Sequence, residues 1–179
     1  VTDSVQNCLN RILFVIPCYN EKDTIETVFD AVRNCGVKNT EIIVVDDCSK
    51  AGTRDLRQGE LRNKIARLIF HKVNQGKGAA LAKGFQVATG DVVVVQDADL
   101  EYDPKDFVRL REPFVSGRKD ADVVYGSRDA RGEKYMIKRF YHTLGNKLLT
   151  LGSNLFTDLG LTDMETCYKM FRREVIQSI

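Results

Sequence analysis

No apolar run in this sequence reaches the roughly 18–20 residues that a bilayer-crossing helix needs. The longest, Ile12 to Tyr19, contains Pro17. The opening VTDSVQNCLN is polar and does not read as a secretory signal. No C-x-x-C pair occurs among Cys8, Cys18, Cys35, Cys48 and Cys167, and their number is odd. That fits reduced thiols in a cytosolic setting better than a disulfide framework or a zinc site. There is no internal repeat, no G-x-G-x-x-G and no Walker A loop. The net charge is only +2, which argues against a nucleic-acid binder.

What is present is charge of both signs, separated along the chain. Residues 96–107 carry Asp97, Asp99, Glu101, Asp103 and Asp106 against Lys105 alone. Residues 128–147 carry Arg128, Arg131, Lys134, Lys138, Arg139 and Lys147 against Asp129 and Glu133.

Short apolar runs closed by breakers suit buried parallel strands. They occur at 11–17, 41–46, 67–71, 91–96 and 122–125. Between them, Ile25, Val28, Phe29 and Val32 have helical spacing, with Asn20 as the expected N-cap. Further helices are expected at 52–63, at 78–88 before Gly90, and at 104–115, where Pro113 intrudes. This alternation predicts an α/β fold with a mostly parallel sheet flanked by helices. A single domain over 1–179 is expected, with a tail at about 1–10 and an amphipathic segment at 129–160. The closing REVIQSI reads as a helix start, so a longer parent chain is expected.

In such sheets ligands bind beyond the carboxyl ends of the strands. Tyr19-Asn20-Glu21, Asp46-Asp47, Asp97-Ala98-Asp99 and Gly126-Ser127-Arg128 all follow expected strands. Asp97, Asp99 and Glu101 alternate, and in extended chain residues two apart point the same way. Carboxylates so placed repel unless a cation neutralises them, and oxygen donors suit Mg²⁺ or Mn²⁺. The simpler reading is a solvated acidic turn capped by Asp103. Asp46 and Asp47 can accept hydrogen bonds from a ribose or base, or can form a capping turn leading into Ser49. Gly76-Lys77-Gly78 before a helix favours a phosphate, or is a plain glycine turn. Phe140, Leu144, Leu148, Leu151, Leu155 and Leu159 form one stripe flanked by bases. It can pack on the sheet, lie on an anionic membrane, or do both with different faces. His71 and His142 are isolated and read as core or surface residues.

Taken in order, VIPCYNE (15–21), VVDDCS (44–49), NQGKGAAL (74–81), QDADLEYDP (96–104), VVYGSR (123–128) and TDMETCYKMFRRE (162–174) resemble the motifs of family 2 glycosyltransferases. The branch they most resemble is the polyprenyl- or dolichyl-phosphate sugar synthases. The resemblance covers essentially residues 11–179. It implies a GT-A fold with a D-x-D metal site. It implies that Pro17, Tyr19, Asn20 and Glu21 line a nucleotide pocket. Asp47 would contact base or ribose with Asp46 beside it, and Lys77 would lie near the nucleotide or its sugar. Asp97 and Asp99 would hold Mg²⁺ or Mn²⁺ on the diphosphate of a UDP- or GDP-linked sugar, with Glu101 as a third ligand. Arg128 resembles an acceptor-phosphate contact. The acceptor would be a polyprenyl (dolichyl or undecaprenyl) phosphate at the cytoplasmic membrane face, with the protein cytoplasmic and peripheral there. Cys48 stands where the family commonly has Gly, and Lys169 where Arg is frequent.

A departing nucleoside diphosphate needs its charge offset, which a carboxylate-held cation supplies. A lipid phosphate is already an ionised nucleophile, so it needs cations rather than a base, and Arg128 and Lys169 are the candidates. A saccharide hydroxyl acceptor would instead need a carboxylate base, Asp163 or Glu165. A receiver-type signalling domain also pairs acids after a strand, but a full strand and helix precede this pair and Arg128 stands where a Lys is expected.

Overall fold

The computed structural model describes residues 11–50, 65–99, 102–115, 121–127 and 140–179, with side chains at all of these except 140–142. The expected helix at 52–63, and Glu101, Arg128, Arg131, Lys134, Lys138 and Arg139, lie outside the described residues. Two compact units are present: Val1–Val124 with Met170–Ile179, and Tyr125–Lys169.

In the first unit the chain runs β1 (Ile12–Cys18), α1 (Ile25–Arg33), β2 (Thr40–Asp46), β3 (Arg67–Phe70), α2 (Lys77–Gln86) and β4 (Val92–Val95). A 3-10 turn (Pro104–Asp106) leads into α3 (Phe107–Val115) and β5 (Val123–Tyr125), and the chain closes through β6 (Lys169–Arg172) and α5 (Arg173–Gln177). The sheet order is β3-β2-β1-β4-β6-β5. β1 is parallel to β2 and β4, and β2 is parallel to β3. β6 runs antiparallel to β4, with Val93 opposite Phe171.

The unbroken apolar runs follow from this order. A central parallel strand is covered on both faces, so every position is buried rather than every second one. β4 is four valines, all buried. Along β1, Leu13 and Val15 face one way, into a cluster with Ile43, Val45, Val93 and the helix residue Ala80. Phe14 faces the other way and meets Phe107 of α3 edge-on, with ring centroids 4.8 Å apart. α1 buries Ile25, Val28, Phe29 and Val32, the expected stripe.

Helix α2 lies close against β1 because Gly84 has no side chain. A Cβ there would stand 2.3 Å from Val15 Cγ1. β6 has no counterpart among the expected strands: KMFR is short, contains no β-branched residue and lacks the long apolar run of its neighbours. Pro113 lies within α3.

In the second unit, α4 spans Phe140–Thr157. The chain then folds back on it. The Asn154 side-chain amide donates to the Leu161 carbonyl at 2.9 Å, and its Oδ1 accepts the Leu161 N–H at 3.0 Å. The Met164 N–H donates to Thr150 Oγ1 at 3.2 Å. Leucines of the expected stripe are exposed: Leu148 is 60% and Leu155 77% exposed, with Leu144, Leu151 and Leu159 also exposed. No helix among the described residues is long and apolar enough to cross a membrane.

Candidate functional site

The four parallel strands end side by side, and their following residues meet there. Register explains why. Pro17 and Cys18 of β1 stand opposite Val45 and Asp46 of β2, and Asp46 stands opposite Phe70 of β3. The turns after β1, β2, β3 and β4 therefore open on the same edge.

A cavity of about 320 Å³ lies at this edge, lined by residues from β1 and its turn, Asp47, Asn74, the start of α2 and Asp97–Asp99. Of the residues expected to bind nucleotide or metal, Pro17, Tyr19, Glu21, Asp47, Lys77, Asp97 and Asp99 line it.

Asn20 and Asp46 are not among the lining residues; they brace the turns behind the cavity. Asp46 is 1% exposed, and its carboxylate accepts both the Ser49 hydroxyl and the Ser49 N–H. Ser49 Oγ in turn accepts the Asn20 N–H at 2.9 Å, and Asn20 Oδ1 accepts the Lys50 N–H at 2.9 Å. Asn20 is also not the N-cap of α1, which begins at Ile25 after Thr24. Instead Asn20 takes φ +60°, a left-handed conformation that Asn tolerates better than most residues. The Thr24 hydroxyl donates to the Glu21 carboxylate at 3.0 Å, and the Ile25 N–H to the Glu21 carbonyl at 3.0 Å.

Asp47 is bonded on both carboxylate oxygens. It accepts the Gln75 N–H at 2.9 Å, the Gly76 N–H at 2.7 Å and a bond with His71 Nδ1 at 2.7 Å. Burial alone would raise its pKa, but the bonds from Gln75, His71 and Gly76 outweigh that and hold it below the ordinary carboxylate value. Asp47 thus fixes the turn that launches α2. His71 is the residue that sequence reasoning left without a role. The signal was its place directly after β3, as Asp47 stands directly after the neighbouring β2.

At the other wall, Lys77 Nζ lies 2.6 Å from Asp97 Oδ1. Asp103 accepts the Lys105 N–H at 3.0 Å and caps the 3-10 turn, as the simpler reading of the acidic loop expected.

Two carboxylates, Asp97 and Asp99, line one cavity, a donor set that fits a hard divalent cation. Mg²⁺ in particular is commonly held by one or two carboxylates plus substrate phosphates. No group of three or more His, Cys, Asp or Glu side chains placed to hold a metal occurs among the described residues.

The remaining site residues lie in the second unit. Asp163 is buried and Glu165 is exposed. Lys169 Nζ stands 5.0 Å from the Tyr125 ring centroid. The Gly126 N–H donates to the Tyr168 carbonyl at 2.8 Å, and a Cβ at Gly126 would stand 3.0 Å from the Tyr168 Cβ.

This chain belongs to glycosyl transferase family 2, whose family model matches residues 13–179. Its architecture is the GT-A fold of the nucleotide-diphospho-sugar transferases.

Among curated proteins it is 32% identical to a dolichol-phosphate mannosyltransferase of Pyrococcus furiosus, over 94% of this chain and 48% of that protein. It is 29% identical to an undecaprenyl-phosphate mannosyltransferase of Micrococcus luteus, over 94% of this chain and 69% of that protein. The chain thus spans about half the length of the first of these relatives. Among solved structures it is similar to glucosyl-3-phosphoglycerate synthase from Mycobacterium tuberculosis in complex with Mn²⁺, UDP-glucose and phosphoglyceric acid. The TM-score is 0.69 at 25% identity, covering 93% of this chain and 58% of that one.

Proposed function

We propose that this chain is the catalytic domain of a metal-dependent, inverting glycosyltransferase that moves a sugar from a nucleotide diphospho-sugar to a polyprenyl phosphate. The observation that carries this reading is the cavity that joins Asp97 and Asp99 to Lys77 and to the wall of Pro17, Tyr19 and Glu21. The names of the relatives, a dolichol-phosphate and an undecaprenyl-phosphate mannosyltransferase, support the acceptor. The neighbour bound to Mn²⁺ and UDP-glucose supports a donor of this class and a divalent cation.

On this reading Pro17, Tyr19, Glu21 and Asp47 enclose the nucleoside end of the donor. Lys77 faces its phosphates. Asp97 and Asp99, with Glu101, would hold Mg²⁺ or Mn²⁺, which supplies positive charge against the diphosphate as it leaves. Arg128 and Lys169 would hold the acceptor phosphate, which needs no strong base because it is already ionised. The exposed leucine stripe of α4, with Lys147 on the helix and Lys134, Lys138 and Arg139 just before it in sequence, supports contact with an anionic lipid surface. That would put the protein at the cytoplasmic membrane face.

The test has two arms. UDP-, GDP- and dTDP-sugars are titrated with and without Mn²⁺ while thermal stability is followed, since a ligand that binds the folded state raises it. A full-length parent protein is then offered polyprenyl phosphate and saccharide acceptors. Metal-dependent stabilisation and transfer to the lipid are expected. Transfer only to a glycan would overturn the lipid acceptor and turn attention to Asp163 or Glu165 as a base.

A further inference from the structure

We propose that Lys77 is an interlock between metal and nucleotide: it occupies the cation position at Asp97 while the donor is absent and gives it up when a diphosphate arrives. This rests on the donor-site reading above and adds a competition to it.

The two ends of the ion pair are unequally held. The Asp97 side chain is 9% exposed and that of Lys77 is 50% exposed. The carboxylate is thus fixed in the wall, while the ammonium reaches it from the solvent side on a long stem. The backbone of Lys77 is anchored, because the preceding Gln75 and Gly76 N–H groups are both bound to Asp47. Lys77 therefore pivots from a fixed Cα, and the question is which anion its Nζ meets.

A divalent cation on Asp97 would stand within a few ångströms of that ammonium, and like charges at such range repel strongly in a partly buried site. A nucleoside diphosphate in the same cavity offers the displaced ammonium a further anion. Without nucleotide, Lys77 and metal compete for the Asp97 carboxylate. With nucleotide, Lys77 can turn to the diphosphate and leave Asp97 to the metal. By linkage, the nucleotide then tightens the metal as much as the metal tightens the nucleotide.

The test is Mn²⁺ binding followed by electron paramagnetic resonance on wild type, Lys77→Met and Lys77→Arg, each checked for folding by circular dichroism. Without nucleotide, Lys77→Met is expected to bind Mn²⁺ about tenfold more tightly, a typical coupling between sites. Lys77→Arg keeps the competing charge and is expected to match wild type. Adding UDP or GDP should then tighten Mn²⁺ less in Lys77→Met than in wild type. A folded Lys77→Met that binds Mn²⁺ no more tightly than wild type overturns the interlock. Absence of Mn²⁺ binding in all three proteins, even with UDP or GDP, overturns the donor-site reading itself.

Discussion

His71 Nδ1 lies 2.7 Å from Asp47 Oδ1, with both side chains almost out of water. The pair exists because β2 and β3 are parallel neighbours that end in register, so the first residue after each meets the other. Through Asp47 the histidine reaches the turn at Gln75 and Gly76, and through that turn the start of α2.

Removing the hub carboxylate should be costly. Asp47→Ala leaves the Gln75 and Gly76 N–H groups and the His71 ring without their acceptor. Hydrogen bonds to charged groups are worth about 1.5–3 kcal/mol each, and their loss is not additive. A destabilisation of about 3 kcal/mol is expected, read as a lowered urea midpoint.

The same carboxylate gives a pH dependence of defined sign. Its pKa is lower in the folded protein than in the unfolded chain, so the ionised form favours folding. This contribution is fully present above the ordinary carboxylate range near pH 4. It is lost as the pH falls through the folded value. The stability advantage of wild type over Asp47→Asn should shrink in acid, as urea unfolding at a series of pH values would measure.

Gly84→Ala sets two effects against each other. Alanine favours a helix over glycine by about 1 kcal/mol. Against this, the new Cβ would stand 2.3 Å from Val15 Cγ1 on a central strand. Overpacking a close helix–sheet contact costs about 1–3 kcal/mol, so a net loss of stability is expected, seen as a lower Tm.

Cys48 holds φ +64°, a left-handed conformation that favours glycine. The turn keeps the glycine-like conformation with a side chain that disfavours it by roughly 1–2 kcal/mol. Cys48→Gly should relieve this, less the extra freedom gained by the unfolded chain. A Tm gain equivalent to about 0.5–1 kcal/mol is expected.

Asp99→Asn keeps shape and removes a charge from the cavity wall. On the proposed function it should lower sugar transfer by about 10²-fold or more, as losing a stabiliser of transition-state charge does. Circular dichroism should be unchanged. Transfer at the wild-type rate would reject the metal-site role.

Much of the architecture was legible because it rests on patterns that local chemistry enforces. ILFVIP, IIVV and VVVV are short continuous apolar runs, rich in β-branched residues, that suit strands buried on both faces. The residues after those strands could then be read as cavity residues, and Tyr19, Asp47, Asp97 and Asp99 do share one cavity, with Lys77 from the glycine turn before α2. What was not legible depends on register. Asn20 and Asp46 carry the same side chains whether they touch a ligand or brace a turn. Only the alignment of β1 with β2 decides that they meet through Ser49. His71 gained its partner in the same way. β6 escaped because four residues of mixed character become a strand only when a neighbouring edge is there to receive them.

The bonded line from Asp46 through Ser49 to Asn20 has a kinetic meaning. Because the protein's own groups lock these two turns together, an arriving molecule has little loop freedom to remove. Association at this wall should therefore be limited by encounter, and any slow ordering step must arise elsewhere in the chain.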